Sequence, residues 1–239
     1  MDRKHHWAYP ALTQPGLSRD QLLAHFRHEY LVYVRDFPVL LARALGIVPP
    51  IDAVRRSLAE NLYEEQTGGL SGTSAHPELF LQMMAGLGLE RDAFVDDDGW
   101  LHPAARRYRD FLRERACTPP WQSAVALLTI FVEGSVNERA ELAGTFVRAR
   151  GEDAVRQHPL VKHYGCPPSA MALTRAHAQV EGGHRQDAWR MVLDQTPERS
   201  DEARAVVAAC EQALGLWHAY RDGVADRMRL GRPATVRAG

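Results

Sequence analysis

Apolar positions recur at helical spacing along almost the whole chain, and short clusters of Pro, Gly, Ser and Asp interrupt them. The first stripe, "LLAHFRHEYLVYVRDFPVLLARAL" (22–45), opens on a capping box in which Ser18 is the cap and Gln21 its partner three residues on. Pro38 is expected to kink or split it, and "GIVPP" (46–50) closes it. A second helix is predicted from about Asp52 to Glu65, running into the Gly/Ser/Thr loop "QTGGLSGTSA" (66–75). "HPELFLQMMAGLGL" (76–89) gives a third, followed by the turn "DDDGW" (96–100) and the helix "HPAARRYRDFLRERA" (102–116). After "CTPP" comes a long run, 121–150, in which "AVALLTIFV" (124–132) is apolar on all sides, the mark of a helix at the centre of a bundle. Beyond the breaks at "GEDAVRQHP" and "YGCPPS", one helix spans about Ser169 to Gln195. Ser200 then caps a last one, and "GRPATVRAG" (231–239) is expected to fray.

Seven or eight helices and no alternating strand predict a single all-α domain over 1–239, with its core at about 17–225 and mobile termini. At 239 residues, one sizeable core is what the length supports.

Charge narrows the function classes. With 29 Lys+Arg against 30 Asp+Glu there is no electrostatic pull toward nucleic acid or an anionic membrane. Cys117, Cys166 and Cys210 are far apart and form no CxxC pair, which fits a reducing compartment. Neither a signal-peptide pattern nor a run of ~18 apolar residues occurs, so the expectation is a cytoplasmic protein without membrane attachment. Its expected partner is a small-molecule substrate, and a homodimer is possible for an all-helical domain.

Candidate chemistry concentrates in "TRAHAQVEGGHRQDAWR" (174–190). His177, Glu181 and His184 at i, i+4 and i+7 stand within ~60° of one another around a helix. Two imidazoles and a carboxylate on one stripe can share a transition metal, although a polar helix face collects the same residues. Ala176, Val180 and Trp189 suggest that much of this helix is buried. Gly182 and Gly183 sit inside the stripe, where each costs roughly 1 kcal/mol against alanine.

Glu133 ends the apolar run, so its carboxylate is expected near the bundle centre, where it must be paired, neutralised or metal-bound. Glu64 or Glu65 ends one helix and His76 begins the next, so the loop between them can fold back and join a carboxylate to an imidazole. Three carboxylates and three imidazoles suffice for two metal ions. Only one Glu-x-x-His motif occurs, Glu181–His184, which disfavours a ferritin-like arrangement.

The stretches "NLYEE…HPELF" (61–80), "FVEG" (131–134), "KHYG" (162–165) and "HAQVEGGH" (177–184) resemble those of the haem-oxygenase-like diiron oxidases and oxygenases. That family sits within the superfamily of pyrroloquinoline-quinone synthase and thiaminase II. The resemblance implies a haem-oxygenase-like bundle and a ligand set of Glu65, His76, Glu133, His177, Glu181 and His184. It implies two Fe(2+) ions, with manganese an alternative in one position, and dioxygen as co-substrate. The reaction implied is oxidation of a small, amino-acid-derived molecule in a biosynthetic pathway, with His25, His28, Arg139 and Arg175 as polar candidates for holding it. Longer loops than in several relatives leave Glu64 as a substitute for Glu65, and Glu138 or Glu141 for Glu133. The resemblance further implies a metal-bearing helix ordered by its metal, which Gly182 and Gly183 would make easier to unwind. Two rival readings remain on this fold. One is a metal-independent oxidase or a thiaminase-like hydrolase with a cysteine nucleophile, and the other is a helical small-molecule-binding protein without catalysis.

Overall fold

The architecture was obtained as a computed structural model. It describes residues 1–95 and 99–232, without the side chains of 180–185. The turn at 96–98 and most of the tail expected to fray lie outside the described residues.

The described residues form helices joined by turns and contain no strand. In chain order the α-helices are α1 (Tyr9–Thr13), α2 (Arg19–Glu29), α3 (Phe37–Ile47), α4 (Asp52–Thr67), α5 (His76–Gly86) and α6 (Pro103–Arg115). They continue with α7 (Trp121–Val125), α8 (Glu138–Leu142), α9 (Gly151–Gln157), α10 (Pro159–Tyr164), α11 (Ala172–Leu193) and α12 (Asp201–Arg227). Two π-helical turns, Tyr30–Val34 and Ala126–Val132, extend α2 and α7.

Among the described residues, twelve α-helices replace the seven or eight helices expected, because several long stripes are broken by backbone chemistry. Pro38 does not kink a continuous helix. It stands in the first turn of α3, where its missing N–H costs nothing. The capping box at Ser18 is present, with Gln21 N–H donating to Ser18 Oγ and Ser18 N–H to Gln21 Oε1. Ser200 caps α12 by accepting from Ala203 N–H.

The run 124–132 is the centre of the bundle: Ala124 through Phe131 are all buried. Helix α11 packs on its π-helical part, while α12 packs along α6 and against α2 and α7. At Gly223 of α12 a Cβ would stand 2.1 Å from the His102 ring at the start of α6, so only glycine permits this approach. The first eight residues, expected to be mobile, pack on α12 and on the end of the central helix, with Lys4, His6 and Ala8 buried.

Candidate metal centre

Local sequence explains why one cavity collects the polar groups. On α4, Asn61, Glu64 and Glu65 stand at i, i+3 and i+4 and share a face. Gly68 ends this helix in the left-handed region at φ +65°, which favours glycine. The loop that follows folds over Glu64, whose Oε2 accepts from the backbone N–H groups of Leu70 and Ser71 at 2.8 and 3.0 Å. That return delivers His76 to the start of α5, with Pro77 in the first turn.

His76 is buried between two neighbouring carboxylates. Its Nε2 is 3.1 Å from Glu64 Oε1, within hydrogen-bonding geometry, and its Nδ1 is 2.8 Å from Glu65 Oε1 but outside it. His177, four residues after Leu173 on α11, brings its ring to 5.0 Å from that of His76, edge to face. One donor atom each from Glu65, His76 and His177 lie within 4.8 Å of one another.

These groups open on a cavity of about 270 Å³. Its apolar side is Val34, Phe37, Val132 and Leu173; Tyr33, Asn61, Thr129 and Glu133 supply its other polar groups. Both π-helical turns border it, one through Tyr33 and Val34 and the other through Thr129 and Val132. Wide turns of this kind recur at functional sites, since the extra residue re-aims the side chains that follow.

Electrostatics differ between the two imidazoles. Burial works against a charge on His76, but the Glu65 and Glu64 carboxylates outweigh it and raise its pKa. At His177 burial dominates and lowers the pKa to about 4, with Glu65 pulling upward and His76 downward. Burial would also raise Glu64, yet the donors from Ser71, His76 and Leu70 hold it below its ordinary value.

A neutral His76 that donates from Nε2 to Glu64 leaves a lone pair on Nδ1 facing a carboxylate oxygen 2.8 Å away. Two acceptors at that separation repel unless a proton or a metal cation lies between them. A buried ring nitrogen without a hydrogen bond, beside a carboxylate and a second imidazole, therefore fits a metal ion, and the donor set suits iron, manganese or zinc. Glu64 then plays the outer part, fixing the tautomer of a ligating histidine.

Of the sequence-predicted residues, Glu65, His76 and His177 come together. Glu133 borders the same cavity, and its Oε1 accepts from Asn61 Nδ2 at 2.8 Å. It is not buried as expected: the π-helical turn carries it to the exposed rim, so the burial argument does not apply to it. The side chains of Glu181 and His184, and the glycines between them, lie outside the described residues. Glu138 is buried and accepts from Trp189 Nε1, while Glu141 pairs with Arg148. Neither borders the cavity.

His25, His28, Arg139 and Arg175 do not border it either. His25 pairs with Glu29, and His28 bonds to the Ala24 carbonyl. Arg139 reaches Asp2, and Arg175 reaches Glu152. Tyr33, Asn61 and Thr129 were not singled out from sequence. Asn61, four residues before Glu65 on the same helix face, was the one with a readable signal.

The comparisons with known proteins bear on the family and the fold. The model of the iron-containing redox enzymes matches residues 24–218, most of the chain. The chain belongs to that family. Among solved structures, a TenA homologue from Pseudomonas syringae pv. tomato superposes with a TM-score of 0.67 at 15% identity, covering 94% of this chain and 87% of that one. At such identity the likeness concerns the haem-oxygenase-like fold alone. No curated protein matches the chain. Among the described residues, no helix is long and apolar enough to cross a membrane.

Proposed function

We propose that the chain is a non-haem diiron oxidase or oxygenase that uses dioxygen to oxidise a small organic substrate in a biosynthetic pathway. The observation that carries this reading is the buried His76 Nδ1, outside hydrogen-bonding geometry, held against Glu65 and near His177. Those three residues would hold one ion, and Glu133, Glu181 and His184 would complete the set for two. Ferrous iron, when bound, supplies the electrons for dioxygen and the oxidising power used on the substrate.

The protein's own part is placement. Glu64 keeps the His76 proton on Nε2, so that Nδ1 is free to ligate. Glu65 and Glu133 both bring negative charge to the cavity. Val34, Phe37, Val132 and Leu173 exclude water from one side, while Tyr33, Asn61 and Thr129 offer neutral hydrogen-bonding groups to a substrate. An amino-acid-derived substrate remains the proposal by resemblance. Its polar end would meet these neutral groups and the metal rather than the four residues first considered.

The hydrolase reading requires a cysteine nucleophile. None of the three borders the cavity: Cys117 is exposed, Cys210 is half-buried, and Cys166 is buried against Met171 Sδ. That favours the redox reading.

Anaerobic titration with ferrous iron, followed by admission of oxygen, tests the proposal. Two equivalents bound and oxygen consumed in proportion to iron are expected. A protein that binds no ferrous iron would exclude it.

A further inference from the structure

The central helix ends at the cavity, and the last carbonyls of a helix have no partner within it. Here they are met from far away in sequence. The Lys4 ammonium donates to the carbonyls of Phe131, Val132 and Gly134 at 2.5, 3.3 and 3.1 Å. Three donors meet three carbonyls at the negative end of a helix, where a cation is favoured. The Lys4 Nζ also lies over the rings of Phe131 and Trp217, at 4.9 and 5.8 Å from their centres. Glu133 stands between two of the three residues whose carbonyls are held.

The segment that carries Lys4 is itself fastened. Trp7 Nε1 donates to Asp222 Oδ1 at 2.7 Å, and His6 Nε2 lies 3.1 Å from the same oxygen. His218 Nε2 is 3.0 Å from the Arg3 carbonyl. Gly134 completes the fit, because a Cβ there would stand 2.2 Å from the Ile130 carbonyl oxygen and 2.8 Å from Met1 Cε. The Ile130 carbonyl, within the helix end itself, thus leaves no room for a larger residue at 134, and the Met1 side chain lies against the same position.

We infer that Lys4 is a positioning residue for the metal-binding cavity: by holding the carbonyls before and after Glu133, it sets where that carboxylate enters. The inference rests on the reading of Glu133 as a metal ligand and extends it to the first residues of the chain. Without the ammonium, three carbonyls would compete for water, and the turn would lose the restraint that keeps Glu133 beside Asn61.

The test uses the full chain with Lys4→Met, which keeps the aliphatic stem, and Lys4→Arg, which keeps the charge. Amide hydrogen exchange over residues 131–136 is measured first, in metal-free protein. About tenfold faster exchange is expected in Lys4→Met, with partial recovery in Lys4→Arg and unchanged protection in α4 and α5. Ferrous titration is the second arm. Lys4→Met should bind its weaker equivalent about tenfold less tightly, the size expected for losing a group that orients a ligand.

Unchanged exchange at 131–136 overturns the inference whether or not the protein binds iron. Faster exchange with both equivalents bound as tightly as in the parent overturns it too, since Lys4 would then merely hold structure. A parent protein that binds no iron overturns the diiron reading and, with it, the positioning of a metal ligand, which the exchange arm records separately. Should Lys4→Met fail to fold, Lys4→Arg carries both measurements, with the parent and Arg values again required to differ.

Discussion

One imidazole, that of His76, stands between the carboxylates of Glu64 and Glu65, consecutive residues of α4 that reach its two ring nitrogens at 3.1 and 2.8 Å. The two acids are chemically alike and structurally unlike. Both line the cavity, but Glu64 is buried and accepts from two backbone N–H groups, whereas Glu65 offers an oxygen within 4.8 Å of donor atoms of His76 and His177.

That difference predicts a split between their variants. On the proposed ligand set, Glu65→Gln removes a ligand, so ferrous affinity at that ion should fall beyond measurement. Glu64→Gln removes only the partner of the ligating histidine, and a loss of about 10–100-fold is expected. Anaerobic equilibrium dialysis of the two variants against the parent checks this. Equal losses would mean that the roles are not divided in this way.

Stability should depend on pH through histidines away from the cavity. His28 is fully buried, its Nδ1 2.6 Å from the Ala24 carbonyl and its Nε2 accepting from His102 N–H at 3.3 Å. It is therefore neutral, and burial lowers its pKa to about 4, as it does for His25. The unfolded chain keeps values near ~6.5, so between the two the unfolded state binds more protons. Stability is complete above about pH 6.5 and falls as pH drops toward 4, by about 2–3 kcal/mol per histidine at the lower end. Urea midpoints from pH 7 to 4.5 measure the slope, and His28→Gln should flatten it by its share.

Cysteine chemistry should be dispensable. The triple variant Cys117→Ser, Cys166→Ser and Cys210→Ser is expected to retain the parent's iron stoichiometry and oxygen consumption. Cys166 is the one position where stability would suffer, because a hydroxyl replaces a buried thiol beside Met171. Loss of all turnover with iron binding intact would revive the nucleophile reading.

Much of this was legible in sequence, and the misses have identifiable causes. The stripe at 124–132 announced a central helix, and the return from Glu65 to His76 could be read from a glycine-rich loop between two helical patterns. Helix periodicity did not disclose the π-helical turns, whose one extra residue leaves composition unchanged. That residue is why Glu133, after an apolar run, reaches the exposed rim instead of the interior. Nor could "MDRKHHW" announce its docking, since one lysine satisfying carbonyls some 130 residues away has no local signature. The polar residues offered for substrate binding failed for a related reason. His25 and His28 are buried within paired networks, Arg139 and Arg175 reach carboxylates nearer the surface, and none of the four borders the cavity.

The clearest such network joins Arg221 of α12 to Glu29 of α2 at 3.0 Å, with His25 Nε2 3.5 Å from the same carboxylate oxygen. Arg221 is buried and also lies over the Tyr9 ring at 5.1 Å. Removing Arg221 leaves the partly buried Glu29 without its cationic partner, with only His25 and Tyr33 beside it, so Arg221→Met should cost about 3–5 kcal/mol. For a chain of this length that is a drop of about 6–20 °C in Tm. Replacing both, Arg221→Met with Glu29→Leu, removes two desolvated charges together and should restore most of the loss. The double variant should nonetheless alter the cavity, because the Tyr33 hydroxyl lies near Glu29 and its side chain borders the space beside His76. Calorimetry and oxygen consumption on the same samples separate the effects. Recovered Tm with changed turnover is expected, whereas a double variant as unstable as Arg221→Met would show that the charges contribute beyond compensating one another.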